Sequence, residues 1–240
     1  MERLKHASPY VAASEGPSWV MDMAMEGRLE VAKERVMGFF SSLSQKPEEG
    51  LIELAGEPHM LVGYRSLAAA HKDLAERFGL AAAQLTFYRL GYEMGVCCCK
   101  AISEAYGVGD PMDKLLMGPL FFVKMGWLPY VDFLKAELKP GEDWFLLWET
   151  RSHFAEKLLE LYGRSDQVEC FLLAGLGAGW CSEAFGLPLA AREVLCMAKG
   201  DRACRFLVAH RSKLFELSRQ EWVCSPTEDF EITRLEFKGH

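Results

Sequence analysis

Two cysteines spaced symmetrically around one glycine constrain the fold of this 240-residue chain more than any other feature of its sequence. Cys196 and Cys204 are each four residues from Gly200, which lies in a Lys-Gly-Asp-Arg turn. Residues 193–197 and 204–208 are therefore predicted to form an antiparallel hairpin. An in-register hairpin places the two Cβ atoms about 4.5 to 5.5 Å apart on one face. That proximity suits either a shared metal ion or a cross-strand disulfide bond.

Cys170 and Glu193 could complete a metal site with this pair, because Zn²⁺ accepts thiolate and carboxylate ligands in a tetrahedral arrangement. Residues 1–16 lack the apolar region and cleavage site of a secretory signal, which predicts a cytoplasmic protein. A reducing compartment disfavours the disulfide. Glu193 lies three residues from Cys196, so a flat strand would direct the two side chains to opposite faces, and joint ligation requires a bulge. The alternative is that the cysteines are ordinary half-buried sheet residues.

The remaining pattern predicts an α+β fold with helices first and an antiparallel sheet later. Half of the residues are hydrophobic and a quarter are charged, as in ordinary globular proteins. Helical periodicity is found at 20–42, at 60–106 with a break at Phe78-Gly79, and at 152–162, 168–185 and 211–220. Runs typical of strands are 120–123, 127–131, 133–138 and 144–148, and residues 230–237 are predicted to be a strand or a linker. Residues 41–50 are predicted to be a linker.

The charge distribution excludes direct nucleic-acid binding as the main activity. The formal net charge is -7, and no cluster of Lys and Arg is present. The sequence also lacks a membrane span, a phosphate-binding G-x-x-x-x-G-K-[ST] loop and a helix-turn-helix pattern. Gly175-x-Gly177-x-Gly179 departs from the dinucleotide fingerprint, because Trp180 stands at the third glycine position; close helix packing explains it better. His71 and His153 are isolated, so no nucleophile and base pair is predicted.

Two parts of the chain resemble known families. The segments Arg192-Glu193-Val194-Leu195-Cys196 and Ala198 to Phe206, with Cys170 upstream, resemble the 4-vinyl reductase domain. Met60-Leu61, Gly91-Tyr92-Glu93-Met94-Gly95 and Met117-Gly118-Pro119 resemble the sensory region of σ54-dependent activators of aromatic catabolism, of the XylR/DmpR type. The two resemblances cover residues 50–210. They imply a sensory region at 50–165 and a zinc-binding 4-vinyl reductase subdomain at 166–210, flanked by a helix and linker at 1–49 and a helix or linker at 211–240.

The resemblance implies one structural zinc ion held by Cys170, Glu193, Cys196 and Cys204. Such a site is closed, because four protein ligands leave no position for an activated water. The resemblance also implies a homodimer, with the helix at 20–42 as the natural contact. An AAA+ ATPase and a DNA-binding domain, fused or separate, are the implied output partners and are not part of this sequence.

A small aromatic ligand in a buried pocket is the implied effector, which makes the chain a sensor and not an enzyme. Trp148 matches the tryptophan that holds the phenol hydroxyl in phenol sensors, whereas Phe122 stands at the position of their histidine. Without that donor a hydroxyl costs about 1 to 3 kcal/mol, which favours toluene, xylene or biphenyl over phenol. Ala191 replaces a bulky tyrosine and would enlarge the pocket, which Trp180 could line. Alternatively, these aromatic residues only fill the core.

Two other functions are compatible with the sequence. The first is a standalone protein of the 4-vinyl reductase type that carries a tetrapyrrole or another large hydrophobic molecule, or assists a reductase. The second is a scaffold whose zinc and helices serve assembly and whose pocket binds nothing. Cys97-Cys98-Cys99 resembles a redox sensor, but consecutive helix positions point about 100° apart, so packing in the core is predicted.

Overall fold

The structure, a computed structural model, describes residues 27–237. The helices of this part are α1 (Arg28–Phe40), α2 (Tyr64–Phe78), α3 (Leu80–Tyr106), α4 (Pro111–Lys124), α5 (His153–Tyr162), α6 (Phe171–Phe185) and α7 (Leu214–Leu217). The strands are β1 (Ser44–Lys46), β2 (Leu51–Leu54), β3 (Glu57–His59), β4 (Tyr130–Glu137), β5 (Phe145–Thr150), β6 (Leu189–Leu195), β7 (Cys204–His210) and β8 (Thr233–Glu236). Among these residues no helix combines the length and the apolar character that crossing a bilayer requires.

The strands form two antiparallel sheets, which confirms the prediction of a mixed fold with antiparallel pairing. The larger sheet has the order β6-β7-β5-β4-β8, and the smaller has the order β1-β2-β3. The predicted hairpin at 133–148 is present as β4 and β5, with Phe133 opposite Trp148. The break at Phe78-Gly79 is also present, because Gly79 has a φ of 85° and separates α2 from α3.

Helix α6 is the centre of the molecule, packed between α3 and the larger sheet. Glycines on both helices let the two backbones touch. A Cβ on Gly175 or Gly179 would lie 2.0 Å from the carbonyl oxygen of Tyr88 or Tyr92, and one on Gly91 would lie 2.0 Å from that of Leu172. The glycine pattern of α6 therefore serves close helix packing, as the sequence predicted.

The larger sheet has a different partner on each face. Even-numbered residues of β5 and β7, such as Trp148 and Phe206, face α6 and the main core. Odd-numbered residues, such as Leu147 and Leu207, form a smaller apolar cluster with Val223 of the C-terminal segment. This segment then returns as β8 to pair with β4 at the sheet edge. The sheet is therefore covered on both faces.

Residues 120–123 form part of helix α4, so the strand prediction there is wrong. Asp110 caps this helix by accepting hydrogen bonds from the backbone N–H groups of Met112 and Asp113, and Pro111 is its first residue. The helix is buried along most of its length. A short apolar run has no amphipathic period, so it does not distinguish a buried strand from a buried helix.

Three further predictions differ from the structure in their bounds. Residues 41–50 are not only a linker, because they contain β1 and the start of a small antiparallel meander. The predicted helix at 211–220 is reduced to α7, which is a single turn. The predicted N-terminal helix at 20–42 agrees with α1 from Arg28 onward, and its first residues lie outside the described part of the chain.

Candidate functional site

Cys170, Glu193, Cys196 and Cys204 form one buried cluster in which the potential ligand atoms all lie within 4.8 Å of one another. The hairpin brings three of them together. Leu195 is opposite Arg205, a register that continues to Cys196 and Cys204. The pairing shifts between Glu193 and Leu195, and this irregularity turns Glu193 toward the side of the two thiols. The bulge that joint ligation requires is therefore present.

Cys170 reaches the cluster from the N-terminal cap of helix α6. Its backbone N–H donates to Oε2 of Glu193 over 2.7 Å, while Oε1 of that carboxylate is buried and has no hydrogen-bond partner among the described residues. The Sγ atoms of Cys170 and Cys204 are 3.6 Å apart and are not bonded. Ligands at 2.3 Å in a tetrahedron around zinc place two sulfur atoms about 3.8 Å apart. The donor set and its spacing can therefore hold a metal ion.

The electrostatics of the cluster favour an added cation. Burial raises the pKa of the Cys170 and Cys204 thiols and of the Glu193 carboxyl well above their ordinary values. Hydrogen bonds from the thiols of Cys170 and Cys204 lower the pKa of Cys196. Four acidic groups cannot ionise together in this buried space without compensation. A divalent cation supplies it, and ligation requires the deprotonated thiolates.

An apolar cavity lies beside the cluster, where α4 and α6 meet the core face of the larger sheet. Its volume is about 40 Å³. The lining residues come from α4, β4, β5, α6 and the loop before β4, and they are Leu115, Gly118, Pro119, Phe122, Leu128, Val131, Phe133, Leu146, Trp148, Leu176, Gly177, Trp180 and Cys181. Almost all of the wall is hydrocarbon or aromatic ring, so the cavity suits an apolar molecule.

Three of the four residues assigned to the pocket from the sequence line this cavity, namely Phe122, Trp148 and Trp180. The ring of Trp148 stacks on Phe206 at a centroid distance of 4.4 Å, and its indole nitrogen makes no hydrogen bond with any described residue. Ala191 lies elsewhere: it is on β6, where its backbone N–H donates to the hydroxyl of Tyr88 over 2.9 Å. Removing bulk at position 191 therefore does not enlarge the cavity of this structure.

A buried histidine and glutamate form a second polar feature that sequence reasoning did not identify. His71 is 2% exposed, and its Nε2 lies 3.5 Å from Oε2 of Glu169 beside a cavity of about 270 Å³. Burial, with a smaller effect of Lys72, lowers the pKa of His71 to about 4, so the ring is neutral at pH 7. The two residues are distant in sequence and no motif joins them, so only the fold reveals the pair.

The three consecutive cysteines of α3 differ in environment. Cys97 is exposed, Cys98 is half-buried and Cys99 is buried. Burial raises the pKa of Cys98 and of Cys99 to about 12, so both thiols are protonated at neutral pH. These two residues pack in the core, as the sequence predicted for the group, whereas Cys97 does not.

Comparisons with known proteins agree with this arrangement. A family model described as an activator of aromatic catabolism, XylR_N, matches residues 39–132, and a model of the 4-vinyl reductase domain matches residues 154–210. The phenol regulator MopR of Acinetobacter guillouiae is 27% identical over 159 residues, which are 63% of this chain and 27% of the regulator. The chain thus spans about a quarter of that relative's length.

A crystal structure of the phenol-responsive sensory domain of the transcription activator PoxR, bound to phenol, has the same fold. It covers 80% of this chain and 96% of its own, with a TM-score of 0.68 and 20% sequence identity. At this identity the similarity establishes the fold only.

Proposed function

The chain joins an aromatic-sensing region of the XylR/DmpR type to a 4-vinyl reductase domain, and on this premise we propose that it senses a small aromatic compound in its apolar cavity. The observation that carries the proposal is the buried cavity lined by Phe122, Trp148 and Trp180. Binding there would favour one conformation over another and so shift a population of states. The signal would reach σ54-dependent transcription through an AAA+ ATPase and a DNA-binding domain, and the sensor would act as a homodimer in the cytoplasm.

The cavity wall favours hydrocarbons over phenol. MopR is named as a phenol regulator and PoxR as phenol-responsive. Here Phe122 stands where phenol sensors carry a histidine, and the indole N–H of Trp180 is already used by the backbone carbonyl of Lys114. The Trp148 N–H can donate to a hydroxyl, but no strong acceptor lines the wall for the hydroxyl proton. The unpaired proton costs about 1 to 3 kcal/mol, so toluene and xylene are the preferred class.

The size of the cavity favours the smallest of these ligands. A cavity of about 150 Å³ accommodates benzene, so a space of about 40 Å³ must expand even for one ring. A tetrapyrrole is far larger and would require a wide cleft in place of an enclosed space. The alternative function as a tetrapyrrole carrier therefore has less support, and a scaffold without a ligand gives no reason for the cavity.

We further propose that the cluster of Cys170, Glu193, Cys196 and Cys204 holds one structural zinc ion. The unpaired Oε1 of Glu193 and the three thiols supply four donors of the type that zinc prefers. The ion would fasten the β6–β7 hairpin to the start of helix α6. A site with four protein ligands leaves no position for catalytic water, which fits a sensor that does not catalyse a reaction.

The test is the change in melting temperature of the purified chain with toluene, xylenes, phenol and a porphyrin. A ligand that binds the folded state raises the melting temperature by mass action. We expect toluene and xylenes to raise it and phenol to raise it less. Phe122→His restores a polar partner and should increase the phenol effect, with Phe39→His outside the cavity as the matched control. No shift with any monocyclic compound would refute the proposed function.

A further inference from the structure

Trp180 fits against helix α4 in a way that only glycine permits. The indole N–H of Trp180 donates to the backbone carbonyl of Lys114 over 2.9 Å. A Cβ on Gly118 would lie 2.8 Å from Nε1 and 3.0 Å from Cε2 of the indole. Real side chains do not approach this closely, so the absence of a side chain at position 118 creates the space that the indole occupies.

The packing around Trp180 leaves its ring a single position. The side chain is 2% exposed, and its ring lies 5.5 Å from that of Phe121 and 5.1 Å from that of Phe122, in tilted and edge contacts. Displacing the ring would break the hydrogen bond to Lys114 inside the protein, where an unpaired indole N–H carries a desolvation penalty. Trp180 is therefore a fixed wall of the cavity.

The other large walls are held differently. Leu115, Leu146 and Leu176 contact their neighbours only through dispersion, and a leucine can change rotamer at lower cost than a hydrogen-bonded indole can move. A ligand that expands the cavity from about 40 Å³ will therefore displace aliphatic side chains before it displaces Trp180. The expansion has a limit on the side of α4 and α6, where the indole stands.

We propose that Trp180, seated on Gly118 and held by the Lys114 carbonyl, sets the upper size of the ligand: it admits one aromatic ring and excludes two fused rings. This inference rests on the proposed function, since it assumes that the cavity is the aromatic site. It assigns Trp180 a specificity role that is separate from any contact with a ligand hydroxyl.

The experiment compares toluene and naphthalene binding by calorimetry and by melting temperature in Trp180→Phe and the unmodified chain. Trp144→Phe is the matched control, because Trp144 is fully buried, packs against Phe185 and does not line the cavity. We expect Trp180→Phe to bind naphthalene about tenfold more tightly or better, the scale of a steric change in an apolar pocket, with little change for toluene. Trp144→Phe should retain the original preference.

Each outcome decides the inference. An unchanged preference for toluene in a folded Trp180→Phe protein would overturn it while leaving the proposed function intact. Equal gains in naphthalene binding by Trp144→Phe would also overturn it, since general loosening would then be the cause. Absence of binding in every protein would overturn both proposals. Trp180→Tyr, which retains a polar hydrogen and a smaller ring, is measured in the same way and decides the question if Trp180→Phe fails to fold.

Discussion

Cys204 joins the two parts of the proposed zinc site, because it lies on β7 opposite Cys196 and 3.6 Å from the sulfur of Cys170. We expect Cys204→Ser to lose the bound zinc and to lower the melting temperature by on the order of 10 °C, since a serine hydroxyl is a poor zinc ligand and metal binding contributes to folding. Metal content by mass spectrometry and a thermal scan measure both effects. The exposed Cys224 provides the control variant Cys224→Ser. Equal zinc content in the two variants would contradict the assignment.

His71 makes stability depend on pH through its burial. Burial lowers its pKa in the folded protein to about 4, whereas in the unfolded chain the value is near 6.5. The stabilising effect of the neutral ring is fully present above pH 6.5 and is lost as the pH falls toward 4, by at most about 3 kcal/mol.

The variant His71→Phe isolates this effect, because phenylalanine keeps the ring contacts with Phe87 and Phe154 and removes the titrating group. We expect a smaller fall in the free energy of unfolding between pH 7 and pH 5 than in the unmodified chain. Acid also protonates the metal ligands in both proteins, so the difference between the two is the relevant quantity. His59→Gln, at an exposed position, should behave as the unmodified chain does.

At this scale the sequence predicted the cluster better than the cavity. The symmetry of Cys196 and Cys204 about Gly200 is a local property, and a local register carries it into the structure. Ala191 was assigned to the pocket by position in a relative, and here the strand carries it to Tyr88 instead. No local pattern determines which face of β6 a distant helix covers.

The contact between α3 and α6 gives a prediction at the scale of elements. Gly179→Ala would place a Cβ 2.0 Å from the Tyr92 carbonyl oxygen, so the helices must separate. Although alanine favours helix by about 1 kcal/mol, we expect net destabilisation of about 1 to 3 kcal/mol or more, because overpacking outweighs propensity. Urea denaturation measures it. Gly109→Ala, which meets no atom within 4 Å, is the control, and equal effects of the two would refute the interpretation.

Arg205 fastens the C-terminal segment to the larger sheet. Its side chain is fully buried and donates to the carboxylate of Glu149 from Nε at 3.0 Å and from Nη2 at 2.9 Å. It also donates to the backbone carbonyls of Val223 and Ser225 and to the hydroxyl of Thr227. This one guanidinium therefore satisfies groups on β5 and on the segment that leads to β8.

We expect Arg205→Met to destabilise the fold by about 3 to 5 kcal/mol, because it leaves the Glu149 carboxylate buried without its partner. The double variant Arg205→Met with Glu149→Leu should recover much of the loss, since it removes the unpaired charge. Chemical denaturation of the single and double variants tests this. A double variant no more stable than the single one would show that the backbone contacts, and not the ion pair, dominate.

The elements that sequence predicted poorly are those in which tertiary contacts decide the conformation. The apolar run of α4 from Leu120 to Val123 has strand-forming residues, yet the Asp110 cap and burial on several sides make it helical. The meander at 44–59 has short, polar strands that lack a clear alternation, so only its pairing reveals it. The long helices and the two hairpins carry strong periodicity and were predicted close to their observed bounds.

Across the whole molecule, helix α6 connects the metal cluster with the ligand cavity. Cys170 caps its first turn, and Leu176, Gly177 and Trp180 along its length line the cavity. Removing zinc with a strong chelator should therefore loosen the start of α6 and reduce the rise in melting temperature that toluene produces, to half or less of the metal-loaded value. Thermal scans with and without chelator measure this, and restoring zinc should reverse it. An equal toluene effect in both states would show that cluster and cavity act independently.

The glycine contact between α3 and α6 also has an evolutionary consequence. At Gly91, Gly175 and Gly179 any other amino acid would collide with a backbone carbonyl, so genetic drift at these positions is blocked. The walls of the cavity are side chains, and a lineage can exchange them one at a time while the two helices stay in place. A chain built in this way can acquire a new chemical preference after gene duplication without first having to find a new fold.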